Sequence, residues 1–282
     1  MACVGVLVAG AVARADDAKA RTAEMTNLME SVAEDGTASE GIKPPRLAFL
    51  VESVLVDPES YAEPQGATGH MSPKKTVVAL SADKKVAWIA SDLDEYQYCG
   101  DDSCFRDKPF GTLHATMLVE LTTPIHPVAI HIAMPMTGKA QAKAVELGGA
   151  MSALPVEVED GATDAVELFK QTLADPTAMV ASVSTRKDVV LYGSSAGERW
   201  VGGAAVKAQL KKWGLGMTLL DGVQAGVTTG GGVAWVAANV SARAIKRPKD
   251  KAMPYRVLFL YEKVGSAWQL VQAHFSYPVL GQ

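Results

Sequence analysis

KKVAWIASDL (residues 84–93) returns later in the chain as GGVAWVAANV (residues 231–240), and each copy is followed by segments of strand character in the same order. After the second copy come PYRVLFLYEK (254–263) and AWQLVQAHFSYP (267–278); after the first come TLHATMLVEL (112–121) and HPVAIHIAMP (126–135). His131 and Pro135 then occupy the places of His274 and Pro278. Self-similarity on the scale of a whole domain points to a duplicated unit, and it constrains the architecture before any local motif is weighed.

The 282 residues are enough for two domains of ordinary size, and 48% hydrophobic with 21% charged residues is the composition of a globular protein. A formal net charge of -4 argues against a nucleic-acid or anionic-membrane partner, because either calls for a concentrated basic face. The basic run KRPKDK (246–251) contains Pro and Asp between two strand patterns, and reads as a solvated loop tip rather than a phosphate-binding patch.

Residues 3–12 form an apolar stretch of export-signal length, and Ala13-Arg14-Ala15 follows with the small-x-small pattern of a cleavage site. A cleaved signal over residues 1–15 is the expectation, with a buried N-terminal element as the alternative. The stretch is too short to span a bilayer. Export, to a periplasm or outside the cell, follows if the signal is genuine; a cytoplasmic location follows otherwise. In an exported chain Cys99 and Cys104, within CGDDSC, are candidates for a disulfide, and in a reducing compartment they are two thiols. A cysteine pair with acidic neighbours falls short of a zinc ligand set, so no metal and no cofactor is expected.

Met25, Leu28, Met29 and Val32 recur at helical spacing within residues 18–34, after which GTASEGIKPPR (36–46) breaks the pattern. LAFLVESVLV (47–56) stays open between helix and strand. From Thr76 onward the first half reads as an antiparallel meander. Residues 138–155 are rich in Ala and Gly and fall between the copies. The second half begins with a helix capped by Thr163 or Asp164, with Val166, Phe169 and Leu173 on one face, ended by Asp175-Pro176. A strand at DVVLYGS (188–194), a helix with Val206, Leu210 and Trp213 on one face, and four further strands complete it. The expected division is a first domain over 16–137, a linker over 138–155 and a second domain over 156–282.

DVVLYGSSAGERWVGG (188–203), GGVAWVAANV and YRVLFLYEKVGSAWQLVQAHFS (255–276) resemble the SnoaL-like branch of the nuclear transport factor 2-like superfamily. The ending with Trp268, His274, Phe275 and Ser276 also resembles the kinase association-domain relatives. The resemblance covers about residues 162–279, and in the first copy only the strand half, 76–135, so that domain has a degenerate N-terminal half. It implies an α+β fold of two tandem cone-shaped domains, each a curved antiparallel sheet wrapped around helices. It also implies that Tyr192, Trp200 and Trp213 surround the mouth of the second cone. Relatives often dimerise through their sheets, so the duplication implies an intramolecular pseudo-dimer. The ketosteroid-isomerase relatives use an Asp base, and the second copy has no convincing Asp at the strand positions.

A KVGSA turn pairing Glu262 with Trp268 opposes Arg256 to His274, on one face with Leu258, Leu260, Leu270 and Gln272. Asn239 and Trp235 add to that face from the neighbouring strand, and His114 and His131 are the first-domain counterparts. Lining a cone, this set would bind a small apolar or carboxylate-bearing ligand, or place His274 for acid-base work. The plainer reading is a set of histidines satisfied by their neighbours. Trp88, Trp235, Tyr255 and Phe259 are either pocket walls or core. Gly230–Gly232 lacks the Lys-Ser of a phosphate loop, and Ser194-Ser195 lacks the glycines of a nucleophile elbow. The expectation leans away from an enzyme, toward an exported non-catalytic module that binds a small molecule or a partner protein. The alternative is a small-molecule isomerase or cyclase using His274.

Overall fold

The computed structural model describes residues 19–33, 45–49, 69–97, 109, 111–136 and 153–277. The expected signal, the Cys99 and Cys104 pair and residues 138–152 of the expected linker lie outside the described residues.

A helix over residues 19–33 (α1) turns Met25, Leu28, Met29 and Val32 inward, as their spacing requires. They pack on one face of a five-stranded sheet of β1 (Leu47–Phe49), β2 (Gly69–Leu80), β3 (Val86–Gln97), β4 (Gly111–Glu120) and β5 (His126–Ala133), ordered β1-β5-β4-β3-β2. The second unit runs β6 (Glu157–Val158), α2 (Thr163–Ala174), α3 (Pro176–Ser182), β7 (Val190–Tyr192), β8 (Arg199–Val201) and α4 (Gly203–Trp213). It then continues as β9 (Leu215–Val227), β10 (Val233–Ala244), β11 (Met253–Val264) and β12 (Ala267–Ser276). Its seven strands are ordered β6-β9-β10-β11-β12-β7-β8, and α2, α3 and α4 fill one face with Phe169, Leu173, Met179, Val206 and Leu210. The chain is therefore α+β, built from two sheet-and-helix units.

The start of α2 differs from the sequence expectation. Ala162 stands at the N-cap and makes no side-chain cap bond, so Thr163 and Asp164 both lie inside the first turn. Asp175 does the capping one helix later: it leaves helical geometry, ends α2, and its carboxylate accepts from Thr177 N at 2.7 Å to start α3.

The two halves repeat their strand logic. In each sheet a three-residue strand runs parallel to the last long strand, pairing Phe49 with His131 and Tyr192 with His274. The faces turned away from the helices meet at a seam containing Phe49, Trp88, Leu118, Trp235, Leu258 and Leu260. Leu154, at the end of the expected linker, is buried there as well. Because each central strand has helices on one side and the other sheet on its opposite side, both of its faces are apolar, and VAWVAANV is buried throughout. Burying each large side chain of this kind contributes roughly 1.5–3 kcal/mol.

The seam contacts are reciprocal. Glu262 accepts from Ala82 N at 3.1 Å, and Glu120 accepts from Thr229 N at 2.6 Å; Ala82 and Thr229 hold the same place before the two VAW segments. Arg186 donates to Leu80 O and pairs with Glu262, while Arg46 donates to Val227 O and lies 3.8 Å from Glu120. Leu80 and Val227 are again equivalent positions.

Candidate functional site

The β11–β12 hairpin turns tightly through Gly265, whose φ of 63° favours glycine, so Val264 pairs with Ala267 and Lys263 with Trp268. The expected pairing of Glu262 with Trp268 is thus shifted by one residue. A bulge between Leu260 and Tyr261 shifts it again, placing Leu258 opposite His274 and Arg256 opposite Ser276. The bulge also divides the expected face: Leu258 and Leu260 point into the seam, and Leu270 joins the helix side.

Arg256, His274, Gln272, Asn239 and Trp235 are all buried, and so are His114 and His131. They line the seam rather than the interior of a cone. This corrects the expectation that their face looks into a cavity. His131 and His274, equivalent in the two copies, stack at 3.9 Å between ring centroids. Nε2 of His131 bonds Ser276 Oγ at 2.9 Å, Nδ1 of His274 bonds Thr116 Oγ1 at 3.2 Å, and Gln272 donates to the same hydroxyl at 2.7 Å. Arg256 donates to Asn239 Oδ1, Asn239 donates to Asp221, and the guanidinium lies 4.9 Å above the Phe49 ring. Matching that contact from the other side, Tyr192 stacks on His114 at 4.4 Å and donates to Asp92 at 3.2 Å.

Burial disfavours the charged forms in this layer. Desolvation and then the Arg256 charge push His131 down to about 3, and desolvation with His131 and His114 nearby holds His274 well below the ordinary imidazole range. Desolvation also lowers His114, opposed by the Asp92 carboxylate, and lowers Arg256, opposed by Asp221. The seam is thus a buried polar layer between two sheets, in which the histidines are held neutral beside Arg256.

An open cavity of about 310 Å³ lies elsewhere, at the end of the second unit where α4 stops. Its aromatic walls are Trp213, Tyr255, Phe275 and Tyr277, and Arg243, Arg247 and Lys251 supply cations. Trp213 stands edge-on to Trp200 at 5.1 Å and to Phe275 at 5.9 Å, which holds the indole at the wall. Tyr255 stacks on Tyr277 at 5.0 Å, and burial raises its phenol well above the ordinary range. The remaining wall is the loop from Gly193 to Glu198, whose Ser195 N donates to the Glu198 carboxylate at 3.1 Å. A Cβ at Gly193 would collide with the Glu198 side chain, so this close approach requires glycine. Asp250, the other cavity carboxylate, pairs with Arg247 at 3.2 Å; Arg243 and Lys251 have no carboxylate partner among the described residues.

Of the residues expected around the mouth, Trp213 lines it, Trp200 supports Trp213, and Tyr192 turns away into the seam. Tyr255 is a pocket wall, whereas Trp88, Trp235 and Phe259 are core. Residues 246–251 form an exposed tip, as the sequence implies, and Arg247 and Lys251 within it also border the cavity, a role that neither they nor the 193–198 loop signal in the sequence. Alternation along β10 gives Arg243 the parity of Trp235, which lies in the seam, so that spacing does not point to the cavity either. Among the described residues no group of three His, Cys, Asp or Glu is placed to hold a metal ion, and no helix is long and apolar enough to cross a membrane.

Residues 164–280 match the family model of the SnoaL-like domain. No curated protein matches the sequence. Among solved structures, an NTF2-like protein of unknown function from Pseudomonas putida KT2440 is 14% identical over 40% of this chain and 84% of its own, with a TM-score of 0.33. A nuclear transport factor 2-like superfamily protein from Salmonella enterica serovar Typhimurium LT2 is 14% identical over 42% of this chain and 91% of its own, with a TM-score of 0.35.

Proposed function

We propose that the second unit is a non-catalytic binding module for a small aromatic carboxylate, taken up at its open end, and that the first unit serves as its covalently attached sheet partner. The cavity carries this reading: about 310 Å³ of space has aromatic walls and cations at Arg243 and Lys251 that lack carboxylate partners among the described residues. That volume is at the lower end for small-molecule sites. A planar ring would stack against Trp213, Tyr255 and Phe275 while its carboxylate faces the cations. The three histidines that acid-base chemistry would need lie in the seam, and the cavity carboxylates Glu198 and Asp250 are engaged with Ser195 and Arg247. This favours binding over isomerisation or cyclisation.

The reciprocal glutamate and arginine contacts support an intramolecular pseudo-dimer, which light scattering would report as a monomer. Export belongs to the same reading, with residues 1–15 removed and Cys99 joined to Cys104; intact mass of the secreted chain, with and without reductant, tests both. For the pocket, titration with 2-naphthoate should give saturable binding that weakens at least about tenfold in Tyr255→Ala and in Arg243→Ala. Equal affinity in the wild type and both variants would remove the cavity from the reading.

A further inference from the structure

The cavity lining carries both signs of charge, and the fold sets them on opposite sides of the aromatic wall. Glu198 stands in the turn that joins β7 to β8, whereas Arg243 lies near the end of β10 and Lys251 follows shortly before β11. β10 and β7 are three places apart in the order β10-β11-β12-β7, about 14 Å across the sheet at roughly 4.8 Å per strand. Tyr255 on β11 and Phe275 on β12 occupy the interval. Glu198 is also held in place. Gly193 N donates to its carbonyl at 2.7 Å and its own N donates to Ser195 O at 2.9 Å, which closes the turn, and Met136 N from the first unit braces Ser194 O at 2.8 Å. Oε2 of the side chain lies against Gly193 and accepts from Ser195 N at 3.1 Å. Among the described residues Oε1 accepts no hydrogen bond, and no cation pairs with the carboxylate.

We infer that the cavity is dipolar and takes an aryl carboxylate that bears a basic amine at the opposite end of its ring, with the ammonium on Glu198 Oε1 and the carboxylate toward Arg243 and Lys251. This rests on the cavity being a binding site for an aromatic carboxylate, and it adds a second polar anchor to that site. A carboxylate fixed on a closed turn meets an ammonium without reordering its backbone, and the oxygen not used by Ser195 is left to accept. A charge-assisted bond of this kind is about twice as strong as a neutral one. Asp250 does not serve as the anchor, because it stands beside the cations and pairs with Arg247 at 3.2 Å. An α-amino acid does not meet the spacing either: its ammonium and carboxylate share one carbon and face the same pole.

Calorimetric titration of the full-length protein with 6-(aminomethyl)-2-naphthoate and with 2-naphthoate separates the two ends of the ligand. At about pH 7 the amine should tighten binding at least about tenfold, and the gain should shrink as salt is raised. In Glu198→Gln the side-chain carbonyl can still accept from Ser195 N, so the turn is kept while the charge is lost. The gain from the amine should then fall below about twofold, whereas 2-naphthoate should bind at least as tightly as it does to the wild type, since the lost charge opposed its own. 3-(2-Naphthyl)alanine, with its ammonium beside its carboxylate, should bind the two proteins within about twofold of each other. An amine that brings no gain, a gain that survives in Glu198→Gln, or a naphthylalanine that depends on Glu198 as strongly overturns the dipolar arrangement, and saturable binding of 2-naphthoate in the same titrations leaves the carboxylate reading standing. If neither naphthoate binds with saturation, both readings fall.

Discussion

The seam and the cavity draw on the same residue types, aromatic rings beside arginine, and put them to opposite uses. In the seam, Arg256 is 2% exposed and lies against Phe49 with Asn239 bonded to its Nε. At the cavity, Arg243 is exposed on a lining that also includes Tyr255 and Phe275. A cation enclosed between Asn239 and the Phe49 ring specifies packing, whereas one left at the rim of an apolar hollow is available to a ligand. Residue identity does not distinguish the two; what fills the space around the side chain does.

The largest expected effect is in the seam. Arg256→Ala strips a partner from Asn239 and leaves a void against Phe49, and should cost about 3–5 kcal/mol in urea unfolding; a loss below about 1 kcal/mol would show that the layer is not tightly packed. Acid should act next. An unfolded histidine protonates near pH 6.5, but His131 in the folded seam does so only near 3. Between those values unfolding takes up a proton, so stability is complete above pH 6.5 and falls as the pH drops below it. His131 alone then loses roughly 1 kcal/mol per pH unit within that window, and His274 and His114 shift in the same direction and add to the loss. Thermal melts from pH 7.5 downward measure this, and replacing the stacked pair by Phe at both His131 and His274 should flatten the curve.

Only part of this arrangement is legible in the sequence. The repeated VAW, the helical faces of Val166-Phe169-Leu173 and Val206-Leu210, and the four-strand order give the units and their sequence of elements. Which side of each sheet meets which neighbour is hidden, because strands buried on both faces lack the polar stripe that marks a solvent side. Arg256, Gln272 and His274 therefore look like pocket residues on an apolar face, and the seam is the other apolar face available. A bulge at Leu260 then moves Leu270 across the sheet, and nothing in the local pattern announces it. The cavity is less legible still. Its walls come from the end of α4, the 193–198 loop and the 243–251 turn, segments without periodicity that meet only when the sheet has formed.

Smaller effects sharpen the likeness between the halves. Glu120→Ala and Glu262→Ala remove equivalent acceptors from Thr229 and Ala82, so each should cost about 1–3 kcal/mol and the two should add. Markedly unequal costs would break the reciprocity. The smallest effect belongs to the rim: Arg243→Ala should change stability by no more than about 0.5 kcal/mol while weakening 2-naphthoate binding.

The five tryptophans provide the most direct test, because their indole N–H groups sample both regions. In an NMR titration with 2-naphthoate, the Trp213 indole signal, and that of Trp200 packed against it, should shift with saturation, while Trp88 and Trp235, enclosed in the seam, remain in place. Saturable shifts at Trp88 and Trp235 with Trp213 unmoved would contradict the account and return the ligand site to the layer between the sheets.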